Sequence, residues 1–96
     1  MIGVTVRCGD VETSTQVETV AEARQFIDGA VAAYAASLAD GQRVAFDAMT
    51  VHHLNLALGG VGFGPGTLST VIGEGRTWEV DLDSVVARVR VSVRPD

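Results

Sequence analysis

Val20, Ala23, Phe26, Ile27, Ala30, Val31, Tyr34 and Leu38 recur at spacings of three and four, which gathers them into one broad apolar stripe. That pattern predicts a helix from Val20 to Ala39, and it is the one helix the sequence announces. Thr19 and Glu22 open it as a capping box, the hydroxyl accepting from a first-turn amide while the acid reaches back. Asp40-Gly41 is expected to stop it, because glycine takes the left-handed conformation at a helix end without steric cost. The opposite side carries Glu22, Gln25 and Asp28 among alanines, so one face must be covered and the other is solvated. Everything else reads as strand. The helix is therefore expected to lie over a sheet.

Ile2, Val4, Val6 and Cys8 alternate with Gly3, Thr5 and Arg7, the period of a half-buried strand. A two-residue turn at Gly9-Asp10 would set Cys8 opposite Val11, Val6 opposite Thr13, Val4 opposite Thr15 and Ile2 opposite Val17. Beyond the helix, Val44, Phe46 and Ala48 alternate, as do Leu54, Leu56 and Leu58. Their join near residues 49–52 reads either as a tight turn or as a bend in one long strand. Gly59 to Gly66 is a loop, and Thr67 to Ile72 and Arg76 to Leu82 are expected strands around a Gly73-Glu74-Gly75 turn. A further turn at Asp83-Ser84 would bring back Val85 to Val93, pairing Trp78 with Val89 inside and Glu79 with Arg88 outside. The expected fold is α+β. It has two layers, an antiparallel meander sheet of six or seven strands on one long helix, in the order ββα then ββββ(β).

A chain of 96 residues with 47% apolar side chains is one domain, residues 1–96, able to bury a core without disulfides or metal. Its net charge of −5 argues against nucleic acid and anionic membrane as partners. The lone Cys8 cannot form an internal disulfide, and there is neither a leader-like start nor a long apolar run. Those features point to a cytoplasmic protein.

No constellation marks an enzyme, a cofactor or a metal site. His52 and His53 are adjacent, so on a strand they would point to opposite faces, one near the core edge and one exposed. Cys8 is in register with buried valines, where a thiol is an inert small hydrophobe. The glycines at 60, 62, 64 and 66 match no phosphate-binding spacing, carry no basic residue and precede a strand. Arg88, Arg90 and Arg94 form an outer stripe that nearby acids neutralise.

The oddest compositional feature is the absence of Asp, Glu, Lys and Arg from residues 48–73. A core hairpin with its turn accounts for such a stretch. So does a contact surface, since a partner need strip no charge there. On the second reading Phe63, with Val61 and Pro65, anchors a partner, and Glu12, Glu18 and Glu74 assist where that partner is basic.

The opening hairpin and the segment STQVETVAEARQFIDGAV resemble the valine-rich strand, threonine cap and acidic-start helix of actinobacterial immunity proteins that accompany polymorphic toxins. The segment LNLALGGVGFGPGTLSTVIGEGRTW is similar to their strand pair around a glycine turn, followed by tryptophan. The likeness spans residues 2 to 80 and implies tight binding of a cognate protein, a toxin or nuclease, without naming a contact residue. The leading expectation is an acidic inhibitor or immunity protein that masks a partner's site. The alternative is a structural, self-assembling or phage-type subunit, a homodimer joined through its sheet edges.

Overall fold

In a computed structural model, which describes residues 1–59, 66–84 and 86–95, Ile2–Cys8 (β1) and Val11–Val17 (β2) form the antiparallel hairpin their alternation predicts. The register is the expected one, from Cys8 opposite Val11 to Ile2 opposite Val17. Gly9 has φ +59°, the left-handed conformation required at the first central position of a tight primed turn. A Cβ there would meet the Tyr34 hydroxyl at 2.9 Å, so glycine is needed twice over.

Val20–Ala36 (α1) is the expected helix. Thr19 caps it by accepting from the Glu22 amide at 3.1 Å, and the same hydroxyl donates to the Glu22 carboxylate at 3.1 Å. Ala23, Ile27, Val31 and Ala35 form its buried row, with Val20, Phe26, Ala30, Tyr34 and Leu38 packed alongside. It ends earlier than expected. Ser37 returns its hydroxyl and its amide to the Tyr34 carbonyl, at 2.6 and 3.0 Å, and Ala39 is extended. Asp40-Gly41 is therefore the start of the next helix and not a stop; Arg43 binds the Asp40 carboxylate at 2.7 Å across its first turn.

The expected strands at residues 44–58 and 67–72 are helices. Asp40–Phe46 (α2), a π turn at Asp47–Val51 and His52–Leu58 (α3) run on as one helical segment, and Leu68–Gly73 is a short helix (α4). Phe46, Thr50, Leu54 and Leu58 all face inward. Their spacing of four overshoots an α-helical turn by about 40° at each step. The π turn, in which the His52 amide reaches back to the Asp47 carbonyl, takes in an extra residue and returns that row to the core. The join near residues 49–52 is thus neither a turn nor a strand bend.

Trp78–Leu82 (β3) and Val89–Pro95 (β4) complete a four-stranded antiparallel sheet of order β2-β1-β4-β3. It has four strands, not six or seven. It is not a meander either, because β4 returns to the middle and pairs with β1. Trp78 stands opposite Val93 rather than Val89, and Leu82 opposite Val89. The even shift keeps Trp78, Val80 and Leu82 on the buried face, as the alternation requires. Ser84 braces the chain beyond β3: its hydroxyl donates to the Ala87 carbonyl at 2.8 Å and accepts from the Val86 and Ala87 amides.

The helices share one face of the sheet, α1 over β1 and β2, α3 and α4 towards β3 and β4. Between the layers lies one apolar core containing Val4, Val6, Ile27, Phe46, Leu54, Leu58, Val71, Trp78, Val89, Val91 and Val93. Trp78 is fully buried on β3, the strand that α3 and α4 approach, whereas Phe26 on α1 is only partly buried.

Candidate protein-docking face

Because residues 40–58 are helical, they have an outer side, and its composition is unusual. Val44 and Met49 are 68% and 47% exposed, and Ala48, His52, His53 and Asn55 are exposed around them. From residue 48 to the end of α3 no charged side chain interrupts this surface. An exposed helix side is normally where Glu, Lys and Arg collect. The bland account of the charge-free stretch, a core hairpin, fails on this point: among its described residues Thr50, Leu54, Ala57 and Leu58 are buried on a helical segment whose other side, with Ala48, Met49, His52, His53 and Asn55, is turned to solvent.

Met49, Thr50 and His53 also form one wall of a cleft of about 270 Å³, with Asp81, Leu82, Asp83 and Ser84 opposite. Thr50 is buried, and its Oγ1 finds no hydrogen-bond partner among the described residues. The cleft pairs a wall without Asp, Glu, Lys or Arg with one that holds Asp81 and Asp83. Arg88 grips Asp81 through two bonds, 2.9 and 2.7 Å, and that guanidinium holds the Asp81 carboxyl below its ordinary range.

Two of the groups that could carry chemistry are engaged or buried. Ser84 is spent on its local turn. Burial pushes the Cys8 thiol up, away from its reactive thiolate form. His52 and His53 are both exposed on α3 with rings 5.8 Å apart, not one buried and one free on opposite faces of a strand. Among the described residues no three His, Cys, Asp or Glu side chains gather closely enough to hold a metal ion. No described helix is long and apolar enough to cross a membrane.

The expected contact residues are scattered. Val61, Phe63 and Pro65 lie outside the described residues. Glu12 is exposed on β2 at one edge of the sheet, on the face away from the helices. Glu18 lies between β2 and α1, and Glu74 follows α4, where it pairs with Arg76. These three acids do not converge on one patch. Sequence reasoning passed over Val44 and Met49; the available signal was a helix-compatible run with no charge to place outward.

On the open face of the sheet, Arg7 and Arg90 stand opposite one another across β1 and β4, flanked by Glu12 on β2 and Asp81 on β3. Arg90 reaches Glu79 at 2.7 Å and Arg88 reaches Asp81, so these two arginines of the expected stripe are paired locally, with Asp81 rather than Glu79 as the Arg88 partner. Compared with known protein families, characterised proteins and solved structures, the chain matches none of them.

Proposed function

We propose that this chain is a protein-binding module that masks a site on a partner, in the manner of an inhibitor or immunity protein. The observation that carries the reading is the outer side of residues 48–58, which holds no charged side chain and exposes Met49, with exposed Val44 one turn before it. Docking there removes apolar surface from water and strips no ion of its hydration. Asp40 and Asp47 are exposed beside Val44, and Asp83 lines the far wall of the cleft. With a net charge of −5, this arrangement favours approach by a basic protein. Inhibition is then steric: the helical face covers the partner's site and contributes no chemistry.

The experiment is capture by the immobilised chain in a lysate of its native host, then titration of the purified partner against wild type and a Val44→Asp/Met49→Asp variant. Both positions are exposed, so the variant should keep its fold. The expected result is a stoichiometric partner whose affinity falls by about a hundredfold or more in the variant, the size of an interface hot spot. Equal affinity for both proteins would exclude this face.

A further inference from the structure

We infer that a second copy of this chain pairs through β2, joining two four-stranded sheets into one of eight strands. β2 is an outer strand of seven residues with Glu12 as its one charged side chain. It contains no proline, lysine or arginine, and its sequence is rich in threonine and valine. The opposite edge, β3, is shorter and carries Glu79 and Asp81.

The hydrogen-bond phase defines what β2 offers. The Gly9 amide donates to the Arg88 carbonyl at 2.9 Å, so the odd residues of β1 bond to β4 and the even ones to β2. Cys8, Val6 and Val4 pair with Val11, Thr13 and Thr15, whose backbone groups therefore point inward. Glu12, Ser14 and Gln16 direct theirs outward, away from the sheet.

The sequence of this edge reads almost the same in both directions: Val11-Glu12-Thr13-Ser14-Thr15-Gln16-Val17. An antiparallel two-fold centred on Ser14 sets Val11 opposite Val17 of the second copy, Thr13 opposite Thr15, and Ser14 opposite itself. Every outward-bonding residue then meets an outward-bonding residue. The strand's one carboxylate, Glu12, meets the amide of Gln16 instead of a second carboxylate. A one-residue displacement of this register would oppose outward groups to inward ones and lose the ladder.

The helix side of the same edge supplies a second, independent observation. Val6, Cys8, Val11 and Thr13 face Ala30, Ala33, Tyr34 and Ser37 across a groove of about 260 Å³ with almost wholly apolar walls. Val11 is 55% exposed at its rim. In the Ser14-centred register, Val17 of the second copy and the start of its α1 arrive at that rim. The edge and the groove thus close together. The α3 part of the proposed docking face lies away from this seam, because α3 packs towards β3 at the other end of the sheet. A dimer formed this way presents two such faces.

The test is sedimentation of the full chain over a concentration series, with three variants at the seam. The expected wild-type species is about 20 kDa, twice the 10.0 kDa chain. Gln16→Glu opposes two carboxylates at each of the two symmetry-related positions and should weaken the dimer about tenfold at low salt. Gln16→Arg opposes a guanidinium to Glu12 there and should tighten it. Ser14→Pro removes an outward amide that β1 does not use, which an edge strand tolerates, and should abolish pairing. Unchanged urea midpoints for the monomeric variants check that β1–β2 pairing survives. A wild type monomeric at about 1 mM overturns the proposal, since a contact weaker than that has no functional affinity. So does a dimer indifferent to all three substitutions, which would place the contact elsewhere.

Discussion

The indole N–H of Trp78 donates to the Gly66 carbonyl at 2.9 Å, tying the first residue of β3 to the backbone just ahead of α4. Trp78 is fully buried, so this bond satisfies its one polar group where water cannot. Trp78→Phe removes the bond, leaves the carbonyl without that donor and opens a small void. A loss of about 2–3 kcal/mol is expected by urea denaturation. A loss within about 0.5 kcal/mol would show that the bond is not made in solution.

Gly66 is constrained from its own side as well. Its φ is +134°, and a Cβ would lie 3.3 Å from the Val71 side chain. Gly66→Ala should therefore cost about 1–3 kcal/mol through backbone strain. Gly73 makes the control, since its φ is ordinary and a Cβ there meets nothing within 4 Å. Gly73→Ala, near a helix end, should be neutral or stabilising. Equal costs at the two positions would remove strain as the cause.

Val44 and Phe46 give opposite answers on a strand and on a helix. Two residues apart, they share a face in a strand but lie on different sides of α2. Phe46 is fully buried, with its ring 5.5 Å from that of Tyr34, whereas Val44 faces water. Phe46→Ala should cost about 3–5 kcal/mol and Val44→Ala less than about 0.5 kcal/mol. Similar costs at both positions would restore a strand for this segment.

That contrast marks where the sequence was legible. The β1–β2 hairpin could be read to the residue because alternation, a turn glycine and a two-residue loop all demand one register. The row of α1 was equally plain, since Ala23, Ile27 and Val31 repeat without interruption. In residues 44–58 the inward row is Phe46, Thr50, Leu54 and Leu58, but Thr50 counts as polar, and exposed Val44 completes a false alternation with Phe46 and Ala48. The π turn compounds this, because a spacing of four fits no ideal helix for long. In α4 the β-branched Thr70, Val71 and Ile72 suggest a strand, yet Leu68, Val71 and Ile72 have helical spacing and are the residues turned inward. The proposed docking surface was half visible. The missing charges were noticed, but a strand reading has no outer helix side on which they could matter.

The Asp81–Arg88 pair predicts an acid dependence. Arg88 lowers the Asp81 pKa chiefly through its direct hydrogen bonds, with smaller help from the fields of Arg88 and Arg90. A carboxyl depressed on folding stabilises above its unfolded value, about 3.9, and that stabilisation is lost as pH falls through the lower folded value. Both side chains are substantially exposed, so water screens the pair and the contribution is small. Asp81→Asn should lower the urea midpoint slightly at pH 7, and the difference from wild type should shrink as pH falls below the ordinary carboxylate range. A deficit that persists unchanged at low pH would mean the carboxylate contributes by shape and not by charge.

Thr50 offers the most direct test of the cleft beside the proposed docking face. Its side chain is 2% exposed and its hydroxyl has no partner among the described residues, although a buried, unpaired hydroxyl costs about 1–3 kcal/mol. Thr50→Val replaces that hydroxyl with a methyl of nearly the same size and leaves the wall formed with Met49 and His53 in place. The variant should be more stable than wild type by about 1 kcal/mol. Thr50→Ser, which keeps the hydroxyl and removes a buried methyl, should lose about 1 kcal/mol. Partner affinity discriminates further. If the hydroxyl is only a cost of the π turn, Thr50→Val binds as wild type does, and Met49→Asp alone weakens capture. If the more stable Thr50→Val loses the partner, the hydroxyl is a contact group, and the docking face extends from the helix surface into the cleft.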